Sequence, residues 1–324
     1  MLCLLLASIP VVAFLVTLTV IIALTRLDAD LLLALYAKFG NQPASLKGKV
    51  VWITGASSGI GEYIALCLAE AGCRLVLSAR REQLLEKVKE RCLLISKGKL
   101  SEDDIMVFPL DVVDYESHKP AVQNVLEKFN KIDILINNAG KSQRSPWVDV
   151  ELCVDRELFE INVLGSVSLT QHVLPHMMER KQGHIVVMSS IAGLIGAPHS
   201  RSYTGAKHAL HGYFDCLRTE MIEHKIDVTI LCPGPVHSNL FIEAATGKKG
   251  EMMGKADNLK DKKMMTDRCA YLSCVAIANK QFEAWITEHP FLGICYMNQY
   301  SPLLSFLFLK IVGVKRLMKM REGQ

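Results

Sequence analysis

Six short apolar runs, separated from one another by segments long enough for a helix, limit the folds open to this chain more than any other feature. The runs read KVVWIT, CRLVLSA, IMVFPLD, IDILIN, HIVVMSS and IDVTILC. Continuous apolar runs that alternate with helical segments indicate a parallel sheet covered on both faces. The pattern therefore predicts an α/β fold with a Rossmann-type, doubly wound parallel sheet. Residues 282–286 are a candidate for a last strand.

The N-terminus predicts a membrane anchor. Residues 1–24 carry no charged side chain, and the run exceeds the ~20 residues that a helix needs to cross a bilayer. We predict an uncleaved transmembrane anchor over residues 1–25. A cleaved signal peptide is the alternative, but no positively charged segment precedes the run, which is also longer than a signal core of about 7–15 residues. Because basic residues follow the anchor and none precedes it, the positive-inside rule favours a cytosolic main domain.

The rest of the chain divides by composition into three parts. Residues 26–46 mix an apolar face with a few charges, which predicts a membrane-proximal helix and a linker. The main domain covers residues 47–290, and within it the lysine-rich stretch at about 241–270 is either a lid over a substrate pocket or a solvated surface loop. Residues 291–324 place an apolar stretch beside basic residues, which predicts a second membrane contact. A buried terminal helix is the alternative there.

Charge and cysteine usage argue against two further classes of protein. The net charge is only +4 over 324 residues, and no nucleic-acid-binding motif occurs, so we expect no nucleic-acid partner. The ten cysteines include no C-x-x-C pair, which argues against a zinc site and a compact disulfide scaffold. We expect no metal.

A glycine-rich turn, TGASSGIG at residues 54–61, joins the first apolar run to a helical segment. Gly55, Gly59 and Gly61 permit a tight turn and a close approach of the backbone to a pyrophosphate, whose charge the helix N-terminus stabilises. A glycine-rich turn alone is a weak signal, but between a strand and a helix it predicts a dinucleotide site.

The end of the second run bears on which dinucleotide binds. An acidic residue there hydrogen-bonds the ribose 2′-hydroxyl, whereas an arginine pairs with a 2′-phosphate. This chain has Arg80 and Arg81 at that point, and Ser57 in the glycine turn, so we expect NADP(H) to be preferred. Glu82 keeps NAD(H) possible, in which case the two arginines only begin an exposed helix.

The order of the motifs resembles that of the short-chain dehydrogenase/reductases, over about Lys47 to Leu240. The motifs are TGASSGIG, NNAG at 137–140, Asn162 in FEINVLG, the serine pair in VVMSSIAG, YTGAK at 203–207, and PGPVHS at 233–238. The resemblance implies an oxidoreductase that interconverts a carbonyl and an alcohol with a nicotinamide cofactor.

The YTGAK motif suits that chemistry. A carbonyl that accepts hydride needs a proton, but an unperturbed phenol, with a pKa of ~10, is a poor proton shuttle near neutrality. Tyr203 and Lys207 share a helix face, and the ammonium would stabilise the phenolate. The resemblance adds Ser190, which would donate to the substrate oxygen, and Asn162, which would hold a water linking the lysine to solvent. The predicted catalytic residues are therefore Asn162, Ser190, Tyr203 and Lys207, with Ser190 also binding substrate.

The resemblance also implies a set of cofactor-binding residues. Asp111 would contact the adenine, and Asn137, Ala139 and Gly140 would form the floor under the adenosine. The residues that would run past the nicotinamide are Pro233, Gly234, Val236 and Ser238. His199, His208 and His237 lie near these motifs, and we expect them to be structural or solvent-facing. The full predicted cofactor set is Thr54, Gly55, Ser57, Ser58, Gly59, Ile60, Gly61, Arg80, Arg81, Asp111, Asn137, Ala139, Gly140, Tyr203, Lys207, Pro233, Gly234, Val236 and Ser238.

Together these features predict a membrane-anchored, NADP(H)-preferring carbonyl reductase or alcohol dehydrogenase that acts on lipophilic substrates such as retinoids, steroids or xenobiotic carbonyls. The resemblance implies attachment to the endoplasmic reticulum membrane and a homo-oligomer. The polar stretch Lys141 to Arg144 leaves the polarity of the substrate open. Two alternatives remain, a non-catalytic cofactor-binding membrane scaffold and a soluble dehydrogenase secreted after signal cleavage.

Overall fold

The predicted strands form one seven-stranded sheet, in which every strand pair is parallel. The computed structural model describes residues 25–238, 240–254 and 260–323. The strand order is β3-β2-β1-β4-β5-β6-β7. The strands are β1 Val50–Thr54, β2 Arg74–Ser78, β3 Ile105–Val107, β4 Ile134–Asn137, β5 Gly183–Met188, β6 Ile226–Pro233 and β7 Glu283–Ile286.

Helices occupy the segments between these strands and both ends of the described chain. They are α1 Leu31–Phe39, α2 Gly59–Ala71, α3 Glu82–Ser96, α4 His118–Phe129, α5 Leu152–Phe159, α6 Gly165–Arg180, α7 Arg201–Glu220, α8 Thr266–Ala278, α9 Phe291–Tyr300, α10 Pro302–Val312 and α11 Val314–Glu322.

The sheet is covered on both faces, as the continuous apolar runs predict. Every residue of β1 is buried, because its side chains enter a hydrophobic core on either side of the sheet. Leu68 of α2 and Leu272 of α8 belong to one core, while Leu169 of α6 and Phe214 of α7 belong to the other. The Rossmann-type, doubly wound fold is therefore confirmed.

The strand order reverses at β1, which pairs with β2 on one side and with β4 on the other. Chain connections leave the ends of β1 and β4 in opposite directions, so a crevice opens outside their carboxyl ends. Thr54 closes β1 and Asn137 closes β4 at this point. The crevice lies where the sequence predicts the dinucleotide site.

The segment before β1 packs on the main domain. The buried carboxylate of Asp30 accepts hydrogen bonds from the backbone N–H of Leu33 and of Trp285, at 2.9 and 2.8 Å. The residues predicted as a linker include a 3-10 turn at Pro43–Leu46. The predicted anchor lies outside the described residues except for Thr25, and among the helices that the structure describes, none combines the length and the apolar character needed to cross a bilayer.

The C-terminal segment forms α9, α10 and α11. Helix α9 is largely packed against the core, whereas α10 leaves large apolar side chains exposed, among them Leu303, Phe306 and Ile311. Helix α11 contributes Leu317 and other side chains to a cavity wall. The segment thus combines an exposed apolar surface with a helix whose side chains line a cavity.

Candidate active site

The glycine turn is held against the end of β4 by Asn138. Its side-chain amide donates to the carbonyl oxygens of Thr54, at 2.9 Å, and Gly55, at 3.2 Å. Gly55 has a φ of +66°, and a Cβ on Gly61 would lie 2.4 Å from both the Asn138 amide nitrogen and the Gly55 oxygen. Glycine is therefore required at both positions. Asn138 was not among the predicted cofactor-site residues, although it lies within the NNAG motif.

A cleft of about 560 Å³ runs along the carboxyl ends of the strands. Two predicted cofactor residues do not line it. The Thr54 hydroxyl accepts hydrogen bonds from the backbone N–H of Asn138 and Ala139, each at 3.1 Å. Asn137 donates to the Thr170 hydroxyl at 2.8 Å. Both side chains therefore support residues of the cleft wall without lining the cleft. The predicted residues that do line the cleft are Gly55, Ser57, Ser58, Gly59, Ile60, Gly61, Arg80, Arg81, Asp111, Ala139, Gly140, Asn162, Ser190, Tyr203, Lys207, Pro233, Gly234, Val236 and Ser238.

The two arginines at the end of β2 have different surroundings. Arg81 forms an ion pair with Glu243, with 3.1 Å between the guanidinium nitrogen and the carboxylate oxygen. Arg80 is exposed in the same cleft and has no ion pair among the residues that the structure describes. Arg80 is therefore the better placed of the two to receive an anionic group.

Tyr203 lies in the first turn of α7, buried beside Ser190. Desolvation raises the pKa of its phenol, while a hydrogen bond with Ser190 and the charges of Arg144 and Arg321 act to lower it. The pKa of Tyr203 is therefore raised overall rather than lowered as predicted, because the loss of solvation outweighs the favourable charges. Tyr203 is an acid that keeps its proton at neutral pH.

Lys207 lies one turn further along α7. Its Nζ donates to the carbonyl oxygen of Met188 at 2.6 Å and lies 5.6 Å from the centroid of the Tyr203 ring. Burial lowers the pKa of Lys207 to about 8. The shared helix face predicted from the spacing is thus present.

The two serines after β5 point in different directions, as alternation along an extended backbone requires. Ser190 lines the cleft, and its hydroxyl donates to the carbonyl oxygen of Pro233 at 3.2 Å. The Ser189 hydroxyl lies 2.9 Å from His211 Nε2 and donates to the Lys207 carbonyl oxygen at 3.3 Å.

Asn162 lies in a π-helical turn, Glu160–Leu164, between α5 and α6 rather than in a regular α-helix. Its side chain clamps the NNAG turn, because Oδ1 accepts from the Lys141 N–H and Nδ2 donates to the Lys141 carbonyl, each at 3.0 Å. A Cβ on Gly140 would lie 2.7 Å from Asn162 Oδ1 and 3.6 Å from Lys207 Nζ. A side chain at position 140 would therefore clash with Asn162.

A second cavity, of about 370 Å³, meets the cleft at Ser190 and Tyr203. The C-terminal helices supply much of its apolar wall, including Phe291, Leu309 and Leu317. Its lining also carries five charged side chains, Arg144, Asp261, Lys263, Arg321 and Glu322. Arg144 belongs to the polar stretch that is visible in the sequence, but no sequence pattern indicated that Arg321 and Tyr203 line the same cavity.

The histidines near the motifs have varied surroundings. His199 and His208 are exposed, and His237 is buried. The structure also brings His211, Cys232 and Glu283 together, with potential ligand atoms within 4.8 Å of one another, which no sequence spacing indicated. His211 Nδ1 lies 3.1 Å from a Glu283 oxygen, and the Trp285 indole donates to the same carboxylate at 2.7 Å. This group joins α7 to the neighbouring strands β6 and β7.

Residues 49–249 match the family model of the short chain dehydrogenases. The chain belongs to this family. It is 46% identical over 314 residues to the human protein named Dehydrogenase/reductase SDR family member 7, an alignment that covers 96% of this chain and 91% of the human protein. The mouse protein of the same name is also 46% identical, over 294 residues, with 90% of this chain and 86% of the mouse protein covered.

A solved structure supports the same conclusion. A short-chain dehydrogenase from Streptomyces avermitilis superposes with a TM-score of 0.67 at 26% identity, covering 82% of this chain and 98% of the bacterial chain. The protein is therefore an oxidoreductase of the short-chain dehydrogenase family, whose Rossmann fold binds NAD(P) and a small-molecule substrate. The glycine turn at the start of α2, with no room for a Cβ at Gly61, fits such a dinucleotide.

Proposed function

We propose that this chain is a membrane-attached, NADP(H)-preferring carbonyl reductase or alcohol dehydrogenase that acts on lipophilic substrates. The observation that carries the proposal is the meeting of two cavities at Ser190 and Tyr203. A dinucleotide in the cleft and a carbonyl compound in the second cavity share this junction. Hydride transfer requires such direct contact between the nicotinamide ring and the carbonyl carbon.

In the proposed reaction, the bound nicotinamide dinucleotide supplies the hydride. Tyr203 donates its phenolic proton to the oxygen that becomes the alcohol. Ser190 hydrogen-bonds the same oxygen as negative charge develops. The ammonium of Lys207 and the guanidiniums of Arg144 and Arg321 favour the phenolate that remains. In the oxidative direction, each proton transfer is reversed.

The proposed preference for NADP(H) rests on Arg80. A 2′-phosphate carries charge that a guanidinium can neutralise through paired hydrogen bonds. Arg80 lines the cleft without an ion pair in the described part of the chain, whereas Glu243 already neutralises Arg81. Ser57 lines the same cleft as a further hydrogen-bond donor.

The proposed membrane attachment rests on two helices with exposed apolar faces. Helix α1 exposes Leu31, Leu35 and Phe39, the last of them 74% exposed, and the face of α10 includes Ile311, which is 85% exposed. Helix α1 is tied to α9, the helix that directly precedes α10, because the Leu31 N–H donates to the Tyr296 hydroxyl of α9 at 2.8 Å. Anchoring in the endoplasmic reticulum membrane through residues 1–25 belongs to the same proposal and rests on their uncharged apolar sequence.

Lipophilic substrates follow from this arrangement. Leu309 of α10 lines the second cavity, so the helix with the exposed apolar face also forms part of the cavity wall. A compound dissolved in the bilayer would therefore meet the cavity beside the surface where it partitions.

The experiment that tests the proposal is a turnover assay with the full chain in detergent. Oxidation of NADPH and of NADH is followed with all-trans-retinal, an androgen ketone and a small diketone. We expect faster turnover with NADPH and with at least one lipophilic carbonyl. Cofactor binding without turnover of any carbonyl would instead support a non-catalytic scaffold.

A further inference from the structure

Two arginines converge on one hydroxyl in the cavity beside Tyr203. Arg144 follows the NNAG turn, and its Nη1 donates to Ser200 Oγ at 2.9 Å. Arg321 lies near the end of α11, and its Nη1 donates to the same Ser200 Oγ at 2.7 Å and to the Pro198 carbonyl oxygen at 2.9 Å. Two guanidiniums from distant parts of the chain are thus held side by side.

These guanidiniums keep free donors. The remaining hydrogen bonds of Arg144 run from Nη1 to Ser142 and to the Gln143 carbonyl oxygen. In the described part of the chain, every hydrogen bond of Arg144 and Arg321 uses Nη1, so Nε and Nη2 of both side chains have no partner there. A planar guanidinium uses such a pair of N–H groups to bind a carboxylate in a bidentate manner.

The charges around the two arginines do not neutralise them. Asp261 lies 3.7 Å from Lys263, which is its ion-pair partner. Glu322 raises the pKa values of both arginines from a distance, but no carboxylate of the described residues lies within 4.0 Å of either guanidinium. Desolvation lowers the pKa of Arg144 to about 10 and that of Arg321 well below its usual range. Two desolvated like charges without a carboxylate in direct contact are unfavourable unless an anion completes the site.

We infer that the cavity takes carbonyl compounds that also carry a carboxylate, and that Arg144 and Arg321 bind this carboxylate while the carbonyl lies at Ser190 and Tyr203. This inference rests on the proposed function and narrows its substrate class from neutral lipids to amphiphilic oxo acids. Because Arg144, Arg321 and Tyr203 line the same cavity of about 370 Å³, one substrate molecule can reach all three. The hydrocarbon part of the substrate packs against Phe291, Leu309 and Leu317.

The test compares an oxo acid that carries an alkyl chain with its methyl ester, which has nearly the same shape but no charge. NADPH oxidation by the full chain in detergent gives kcat/KM for each compound. We expect the acid to be preferred at least tenfold, since a charge-assisted, bidentate contact is lost in the ester. We expect Arg144→Met and Arg321→Met each to reduce the ratio of kcat/KM for the acid to kcat/KM for the ester to near one. Arg144→Lys should retain part of the preference for the acid.

Arg316→Met is the matched control, because Arg316 is exposed on the same helix as Arg321. It leaves the ratio unchanged. The ratio is the readout, since both cavity arginines also act on Tyr203 and their loss lowers turnover of either compound. An ester reduced as well as the acid, or a preference for the acid that survives both methionine variants, would overturn the inference and leave the proposed function standing.

Binding separates this inference from the proposed function. The melting temperature of the NADPH-loaded protein is measured with the acid and with the ester, in the parent chain and in the variants. If neither compound turns over, the proposed function fails. The carboxylate site is still supported if the acid raises the melting temperature more than the ester does and both methionine variants lose this difference. Equal increases with acid and ester would refute it.

Discussion

At the scale of single residues, Tyr203 and Lys207 lie one turn apart on α7, and burial moves their pKa values in opposite directions. The pKa of Tyr203 is raised and that of Lys207 is lowered to about 8, because burial costs the charged form of each group more solvation than the neutral form. A protonated phenol is suited to donating a proton during carbonyl reduction. The positive charges that favour the phenolate include two arginines that the sequence pattern did not place there.

Arg80 and Arg81 offer a residue-scale test of cofactor preference. We expect Arg80→Ser to lower kcat/KM for NADPH roughly 10-fold or more, with little effect for NADH, because a charged contact to the 2′-phosphate is lost. Arg81→Ser is the matched control and should have a smaller effect, since Glu243 already pairs with Arg81. Steady-state kinetics with both cofactors checks this expectation. Equal losses of kcat/KM with NADPH and with NADH in the Arg80 variant would show that Arg80 does not contact the 2′-phosphate.

At the scale of secondary structure elements, α10 is expected to present the cavity to the membrane. Leu304 and Ile311 are 57% and 85% exposed on this helix, and Leu309 lines the cavity. With the full chain in vesicles, Leu304→Glu combined with Ile311→Glu should raise KM about threefold or more for a ketone that partitions into the bilayer, because the charges keep α10 away from the lipid. KM for a water-soluble ketone should stay the same.

The control for this prediction is Leu94→Glu. Leu94 is 82% exposed on α3, which packs on the opposite end of the sheet beside β2 and β3. This substitution should change neither KM. An equal rise in KM for both ketones in the α10 variant would indicate damage to the cavity rather than loss of a membrane contact.

The strands could be predicted from the sequence because each is a short, mainly apolar run, and every position of β1 and of β5 is buried. The glycine turn could be predicted because its chemistry is local. The packing of distant segments against one another could not be predicted. The apolar periodicity of a helix indicates that one face is packed, but it does not indicate which surface that face contacts. Two examples are long-range contacts of this type. Helix α11 brings Arg321 into the cavity that Tyr203 also lines, and Asp30 is buried where it accepts a hydrogen bond from the Trp285 backbone N–H.

The π-helical turn at Glu160–Leu164 was also beyond sequence reasoning. Asparagine has a low helix propensity, but propensity does not distinguish a residue on a regular helix from one on a local bulge. The two hydrogen bonds to Lys141 explain the asparagine, because they need both the acceptor and the donor of a side-chain amide.

At the scale of the whole molecule, Lys207 is expected to reduce the stability of the fold. Its pKa falls from 10.5 when solvated to about 8 when folded, so between these pH values the unfolded chain binds a proton that the folded chain does not. Stability therefore rises with pH from about 8 to 10.5, and the destabilisation is complete below 8. At 1.36 kcal/mol per pKa unit, the upper bound of the effect is roughly 3 kcal/mol.

Lys207→Met removes this buried charge. We expect the free energy of unfolding at pH 7 to increase by about 1–3 kcal/mol, less the loss of the hydrogen bond to Met188, and turnover to fall. Urea unfolding of the cofactor-free chain at pH 7 and pH 10 checks both points, because the gain over the parent chain should shrink at the higher pH. Lys87→Met, at an exposed position of α3, is the control and should show no such trend. A variant that is less stable at pH 7, or a gain independent of pH, would contradict this account.

The most direct test of the central claim is NADPH oxidation with a lipophilic ketone by the parent chain and by Tyr203→Phe, measured beside NADPH binding. Removing the phenolic hydroxyl deletes the proposed proton donor while keeping the ring, so we predict a loss of turnover of about 10²–10⁴-fold with unchanged affinity for NADPH. A Tyr203→Phe variant that turns over the ketone at the parent rate would contradict the assignment of Tyr203 as the acid.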